Sequence, residues 1–242
     1  MPQNTPKALL DAACELREAL RPLQFSAPVT HVYNPLDYAL GPYRQYLERY
    51  AQGPKARLFL GMNPGPFGMM QTGIPFGEIN AVRGWMGIDA AIEVPASQHP
   101  KRPIHGWDCK RTEVSGRRLW GWAAKHYGSA DAFFARHFVV NFCPLVFLEA
   151  SGKNRTPELL PGSERKPLDT ACMHHLIRVI ALLSPTILIG VGGFAAKRLE
   201  LARQKLPEPE SCRVVQILHP SPASPAANRG WEEAVQAQLK TG

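Results

Sequence analysis

Three polar residues stand at the ends of short apolar runs and could do chemistry together. Asn63 lies in Gly61-Met62-Asn63-Pro64-Gly65-Pro66-Phe67-Gly68-Met69, directly after Arg57-Leu58-Phe59-Leu60. Asn141 closes Val139-Val140-Asn141, and His219 follows Arg213-Val214-Val215-Gln216-Ile217-Leu218. An asparagine amide presents an acceptor and donors together, which suits the edge of a planar ligand. A histidine beside the three alternating prolines of His219-Pro220-Ser221-Pro222-Ala223-Ser224-Pro225 is preorganised. Each residue also has a plainer reading: a tight strand-exit loop, an asparagine bonded to its own backbone, or a His-Pro surface turn. Polar residues at three strand exits favour their convergence as walls of one cleft.

The elements that must position them are legible. Glycine and proline in the Asn63 stretch forbid continuation of either a strand or a helix, so the chain turns sharply there. Strands are expected at 57–61, 137–141, 186–191 and 213–218, where apolar runs are rich in branched side chains. Helices are expected at 5–21, 42–51, 115–126, 168–183 and 192–204, with a last one running through Lys240. Tyr43, Tyr46, Leu47 and Tyr50 fall at helical spacing and read as core. Strands alternating with helices predict an α/β fold with a parallel sheet flanked by helices, whose carboxyl ends are the usual ligand site.

With 242 residues and 45% apolar content, residues 1–242 are expected to form a single domain. The formal charge of +8 favours a polyanionic partner, nucleic acid first, over a merely basic enzyme. Five scattered cysteines without a CxxC pair point to neither a zinc ribbon nor a disulfide framework, and reduced intracellular thiols are the simplest reading. No run approaches transmembrane length and no signal-type core is present, so no membrane partner is expected. Residues 85–114 and Ser151–Lys166 read as loops whose basic residues either contact phosphate or are simply solvated. Gly190-Val191-Gly192-Gly193 lacks the full dinucleotide fingerprint spacing and reads as a strand-to-helix turn. His99, His105, His137, His174 and His175 read as packing or surface residues, and no metal site is expected.

The Asn141 amide suits the N3–H and O4 edge of uracil and opposes the reversed edge of cytosine. From roughly Phe25 to Leu239 the chain resembles the single-strand-selective monofunctional uracil-DNA glycosylases of the uracil-DNA glycosylase superfamily. The resemblance rests on the Asn63 stretch, Gln71-Thr72-Gly73-Ile74-Pro75-Phe76-Gly77-Glu78, Glu113-Val114-Ser115-Gly116, Asn141-Phe142-Cys143-Pro144-Leu145, Ser151-Gly152-Lys153-Asn154 and His219-Pro220-Ser221-Pro222. It implies a three-layer α/β/α sandwich around a four-stranded parallel sheet, excision of uracil and oxidised pyrimidines from DNA, and no cofactor.

Residue by residue, the resemblance puts Asn63 at the water-positioning site and His219 at the uracil carbonyl. Phe76 falls on the base face, Asn141 on the base edge, and the backbone of Met62 and Phe67 at the uracil oxygens. Gly65 would leave space beside C5, making 5-hydroxymethyluracil a plausible additional substrate, unless it only satisfies the turn. Pro220, Ser221, Pro222, Ala223, Ser224 and Arg229 correspond to the DNA wedge, with Ala223 and Ser224 replacing the family's Arg-Asn pair. A monomer is expected, intracellular, cytoplasmic and nucleoid-associated in a bacterium or nuclear in a eukaryote, acting on single- or double-stranded DNA. Two alternatives stay open. One is a superfamily enzyme acting on deaminated purines such as xanthine or hypoxanthine. The other is a lesion-binding module without turnover, motivated by the absence of Asp or Glu from the Asn63 loop.

Overall fold

The computed structural model describes residues 4–241. Seven strands are present there: β1 (Val29–Tyr33), β2 (Arg57–Gly61), β3 (His137–Asn141), β4 (Val146–Glu149), β5 (Asn154–Arg155), β6 (Ile187–Val191) and β7 (Arg213–Ile217). Its α-helices are α1 (Thr5–Leu20), α2 (Pro35–Tyr38), α3 (Leu40–Tyr50), α4 (Met69–Thr72), α5 (Val114–Tyr127), α6 (Ala130–Phe134), α7 (Gly162–Leu183), α8 (Gly193–Arg203) and α9 (Pro225–Thr241).

The four expected strands form one parallel sheet in the order β3-β2-β6-β7. β2, β3 and β6 are buried on both faces, which explains why they read as near-continuous apolar runs, whereas the edge strand β7 exposes Arg213 and Gln216. On one face, Phe59 meets the rings of Trp122 on α5 and Phe133 on α6. On the other, Gly190 lies against the backbone of Ala196 in α8, so close that any side chain there would collide with it. α7 packs on α8 and α1 packs on α7, so helices cover both faces of the sheet. Tyr46 is fully buried, stacks on Phe138 and donates its hydroxyl to the Val139 carbonyl at 2.9 Å, which makes the α3 tyrosines core as expected.

Two expectations need correction. The loop expected across Ser151–Lys166 instead contains β5, a short 3-10 turn and the start of α7, which begins at Gly162 rather than 168. Pro167 lies inside that helix, a position where proline removes one backbone bond, and this is why the sequence pattern suggests a later start. A second sheet, antiparallel with order β1-β4-β5, also escapes the sequence pattern. It packs Tyr33, Val146 and Leu148 against Tyr38, Met70 and Ile104 as a separate small core. Its functional consequence is that β5 reaches the Asn63 loop through Asn154, which donates to the Pro64 carbonyl.

Candidate active site

Because β2 and β3 are parallel neighbours with Gly61 in register with Asn141, their exit residues emerge side by side. His219 comes from β7, two strands away, and must cross the exit of β6. The crossing is made over Gly192, whose φ of 89° favours glycine and where an added Cβ would stand 3.2 Å from the His219 Cβ. The Gly190–Gly193 run is thus a strand-to-helix turn that also leaves room for the histidine.

Asn63, Asn141 and His219 line one cavity of about 580 Å³, together with Met62, Gly65, Phe67 and Phe76. The orientation of Asn63 follows from its partner. Its Nδ2 donates to the Leu145 carbonyl at 3.2 Å, and since a carbonyl only accepts, Oδ1 is the atom left for a ligand or water. The loop itself is tied down by Asn154 of β5, whose Nδ2 donates to the Pro64 carbonyl at 3.1 Å.

Gly61 is the floor beneath two further side chains. A Cβ there would overlap Asn141 Oδ1 and stand 2.7 Å from the Phe76 ring. Asn141 Nδ2 contacts the Met69 sulfur at 3.3 Å, a weak acceptor that a better one can replace. Phe76 has a φ of 53°, an uncommon conformation for a bulky residue. It is held by its own carbonyl, which accepts from Trp120 Nε1 at 2.9 Å and the Glu78 amide at 2.7 Å, and Gly116 packs tightly against that carbonyl. A strained backbone so constrained is a feature of sites that must present a side chain in one place. The Phe76 and His219 rings lie 6.3 Å apart, on the same cavity. Burial lowers the His219 pKa below its ordinary 6.5, favouring the neutral ring near pH 7.

The wedge residues divide. Ser221 and Pro222 reach the cavity. Pro220 is buried beneath the loop, Ala223 is exposed, and half-buried Ser224 accepts from the Ala227 amide at 3.3 Å as the chain enters α9. Arg229 is exposed on a separate surface depression beside Arg117 and Trp231, rather than on the cavity of Asn63, Asn141 and His219.

Sequence reasoning missed one cavity residue of consequence. Glu113, the N-cap of α5, accepts from the Ser115 amide at 3.1 Å and turns its other oxygen toward Gly65. Burial raises its pKa, opposed by hydrogen bonds from Ser115 and the Gly116 amide. The Asn63 loop has no carboxylate of its own, yet α5 supplies one to it. The basic residues of the 85–114 segment, read from the sequence as either phosphate contacts or solvated, include Arg102 and Arg111, whose guanidinium groups lie 5.3 and 4.8 Å from the Phe67 ring and give the cavity mouth a positive rim. Among the described residues, no helix is long and apolar enough to cross a membrane.

Residues 50–239 match the model of the uracil DNA glycosylase superfamily. The chain is similar to the single-strand selective monofunctional uracil-DNA glycosylase of Rattus norvegicus, 48% identical over 98% of this chain and 85% of that protein. A Bos taurus protein of the same description is 47% identical over 98% of this chain and 88% of its own length. The crystal structure of wild-type Pedobacter heparinus SMUG2 shares the fold, with a TM-score of 0.66 over 95% of this chain and 96% of that one at 19% identity. A match this long in sequence, on a four-stranded parallel sheet with helices around it, means that the chain belongs to the uracil DNA glycosylase superfamily and, within it, to the single-strand selective monofunctional uracil-DNA glycosylases.

Proposed function

We infer that this chain is a monofunctional glycosylase that hydrolyses the N-glycosidic bond of uracil in DNA, leaves an abasic site and so initiates base excision repair. One observation carries the reading: two amides, an imidazole and an aromatic face line a single cavity at the carboxyl ends of the sheet. Relatives of that description, 47–48% identical over nearly the whole chain, support it.

In this mechanism the base leaves the stack and enters the cavity, where Phe76 covers its face and the Asn141 amide reads N3–H and O4. Backbone amides of Met62 and Phe67 hold the uracil oxygens. Glycosidic cleavage passes through an oxocarbenium-like state, so departure of the base matters more than nucleophile strength. Neutral His219 donates to O2 as negative charge develops there. Asn63 cannot remove a proton, but its Oδ1 orients water toward C1′. No lysine is among the residues lining the cavity, which favours hydrolysis over Schiff-base chemistry and backbone cutting. The pocket beside C5, bounded by Gly65 together with the Glu113 carboxyl, admits a 5-hydroxymethyl group. The enzyme works as a one-domain intracellular monomer, with the basic rim at Arg102 and Arg111 facing phosphate on single- or double-stranded DNA.

The test is incubation of the purified protein, in EDTA, with matched oligonucleotides carrying uracil, 5-hydroxymethyluracil, xanthine, hypoxanthine or thymine. Uracil release with breaks appearing only after alkali is expected. Release of purines alone would establish the deaminated-purine reading instead, and tight binding with no released base would leave a lesion-binding module.

A further inference from the structure

We propose that Arg118 is a positioning residue that clamps the DNA wedge in its working shape and, through α5, locks it to the base pocket. The inference rests on the glycosylase reading and concerns how the same site meets duplex DNA.

The wedge loop has little structure of its own. Between β7 and α9 its internal bonds are short-range, from the Ala223 amide to Ser221 Oγ at 3.1 Å and from the Ser224 amide to the Ser221 carbonyl at 3.1 Å. Its first residue, Leu218, is tied to Gln238 and Trp231 of α9, and the bonds that reach Pro220 and Ser221 from another element come from one side chain. Arg118 Nη1 donates to the carbonyls of Pro220 and Ser221 at 3.1 and 3.2 Å, and Nη2 donates to Asn228 Oδ1 at 2.8 Å. Asn228 in turn donates to the Pro222 carbonyl at 2.9 Å. A single guanidinium thus grips the entry of the loop and, through Asn228, its middle and its far end. Only a planar fork with several donors can do this, and a lysine cannot.

All three acceptors are neutral, and among the described residues no carboxylate forms an ion pair with Arg118. Ion-pair geometry accordingly does not explain why a half-buried arginine stands here; loop carbonyls do. The position on α5 matters as well. Glu113 caps the same helix and lines the base cavity, while Arg118 lies just over one turn further along and holds the wedge. The pocket and the wedge are therefore fixed to one rigid rod, so the distance between an extruded base and the gap it leaves is set before DNA arrives.

Extruding a paired base costs a few kcal/mol, whereas a base in single-stranded DNA is already free. A wedge that must be ordered at the moment of extrusion adds its ordering cost to the duplex reaction alone. Loss of the clamp should consequently separate the two substrates. The experiment measures single-turnover uracil release from one oligonucleotide, single-stranded and annealed to its complement, for the wild type, Arg118→Met, Arg118→Lys and Asn228→Ala, with thermal midpoints recorded for each.

Arg118→Met should lose about tenfold or more on the duplex while staying within about threefold of wild type on the single strand. Asn228→Ala, which removes one acceptor and the tie to Pro222 without touching α5, should show the same split. Arg118→Lys should restore little of the duplex rate. Equal losses on both substrates, an unchanged duplex rate in both Arg118→Met and Asn228→Ala, or full recovery by Arg118→Lys would overturn the clamp, the last result assigning the effect to bare charge. A wild-type protein that releases uracil from neither form would overturn the activity reading and the clamp with it, so the two failures are distinguishable.

Discussion

The Glu113 carboxyl occupies the space that Gly65 leaves open: a methyl group on the Gly65 Cα would stand 2.6 Å from Glu113 Oε2. Gly68 faces the same side chain, with an added methyl 2.9 Å from its Cγ. Two glycines of the Asn63 loop thus make room for a carboxyl from α5, and the width of the pocket is set by the pair rather than by Gly65 alone. Gly65→Ala should lower single-turnover excision about tenfold, because the added methyl drives the carboxyl into the space of the base. Glu113→Ser removes the carboxyl but keeps an oxygen that can cap α5. In that background the Gly65→Ala change should be close to silent, a non-additivity that a double-mutant cycle reads directly. The same loss in both backgrounds would mean that the methyl acts on the base itself.

Asn63→Ala and His219→Ala should each slow the chemical step at least about tenfold, since a lost transition-state interaction of roughly 1.4 kcal/mol has that effect. The geometry adds a sharper variant. Asn63→Asp preserves size, but it sets a carboxylate oxygen against the Leu145 carbonyl that now accepts from Nδ2. It should therefore fail to rescue, and single-turnover rates are the measurement. Near-normal rates in the Asn63→Ala and His219→Ala variants would remove the roles assigned to both residues.

Much of this site was legible from local pattern. All four parallel strands are apolar runs ended by Gly, Asn or Pro, and a parallel sheet brings such exits to one edge, which is why Asn63, Asn141 and His219 could be joined before any coordinates. What escaped is what depends on distant pairing. β1 is as long as each parallel strand but interrupts its apolar residues with Thr30 and His31 and carries a register irregularity between Val29 and His31, while β4 has four residues and β5 two. None holds a period long enough to read. Glu113 was visible only as part of a motif. Its place against Gly65 and Gly68 is tertiary, and no spacing within the chain announces it. Arg118 was hidden for the same reason, as one basic residue among many on a helix whose partner loop lies at the other end of the sequence.

Asn141→Asp should reduce the preference for uracil over cytosine, because a carboxylate cannot donate to O4. In the structure the Asn141 Nδ2 hydrogen bond goes to the Met69 sulfur, a weak acceptor, so exchange for a base oxygen is favourable. The ratio of single-turnover rates on matched uracil and cytosine oligonucleotides measures the effect, and an unchanged ratio would refute the edge-reading role. Gly61→Ala offers an independent check. Its methyl would displace both the Asn141 amide and the Phe76 ring, so it should cost at least as much activity as Asn141→Ala.

Acid should destabilise the fold through two histidines remote from the chemistry. Burial is the largest cause lowering both: His137 and His175 go from an ordinary 6.5 to about 4, with Arg57 and Arg136 adding to the effect at His137. Between pH 6.5 and 4 the unfolded chain therefore binds protons that the folded chain does not, and stability rises with pH across that window. Their contribution is complete above about pH 6.5 and is lost as pH falls toward 4, by on the order of 1 to 2 kcal/mol per residue at pH 5. His137 packs among Phe59, Tyr127 and Phe133, so His137→Phe keeps an aromatic body there while removing one titration. The thermal midpoint of the wild type should decline from pH 7 to 5 and that of His137→Phe should decline less, even where the lost bond from its Nε2 to the Tyr127 hydroxyl lowers the midpoint at pH 7. Parallel curves for the two proteins would show that His137 is protonated alike in the folded and unfolded chain.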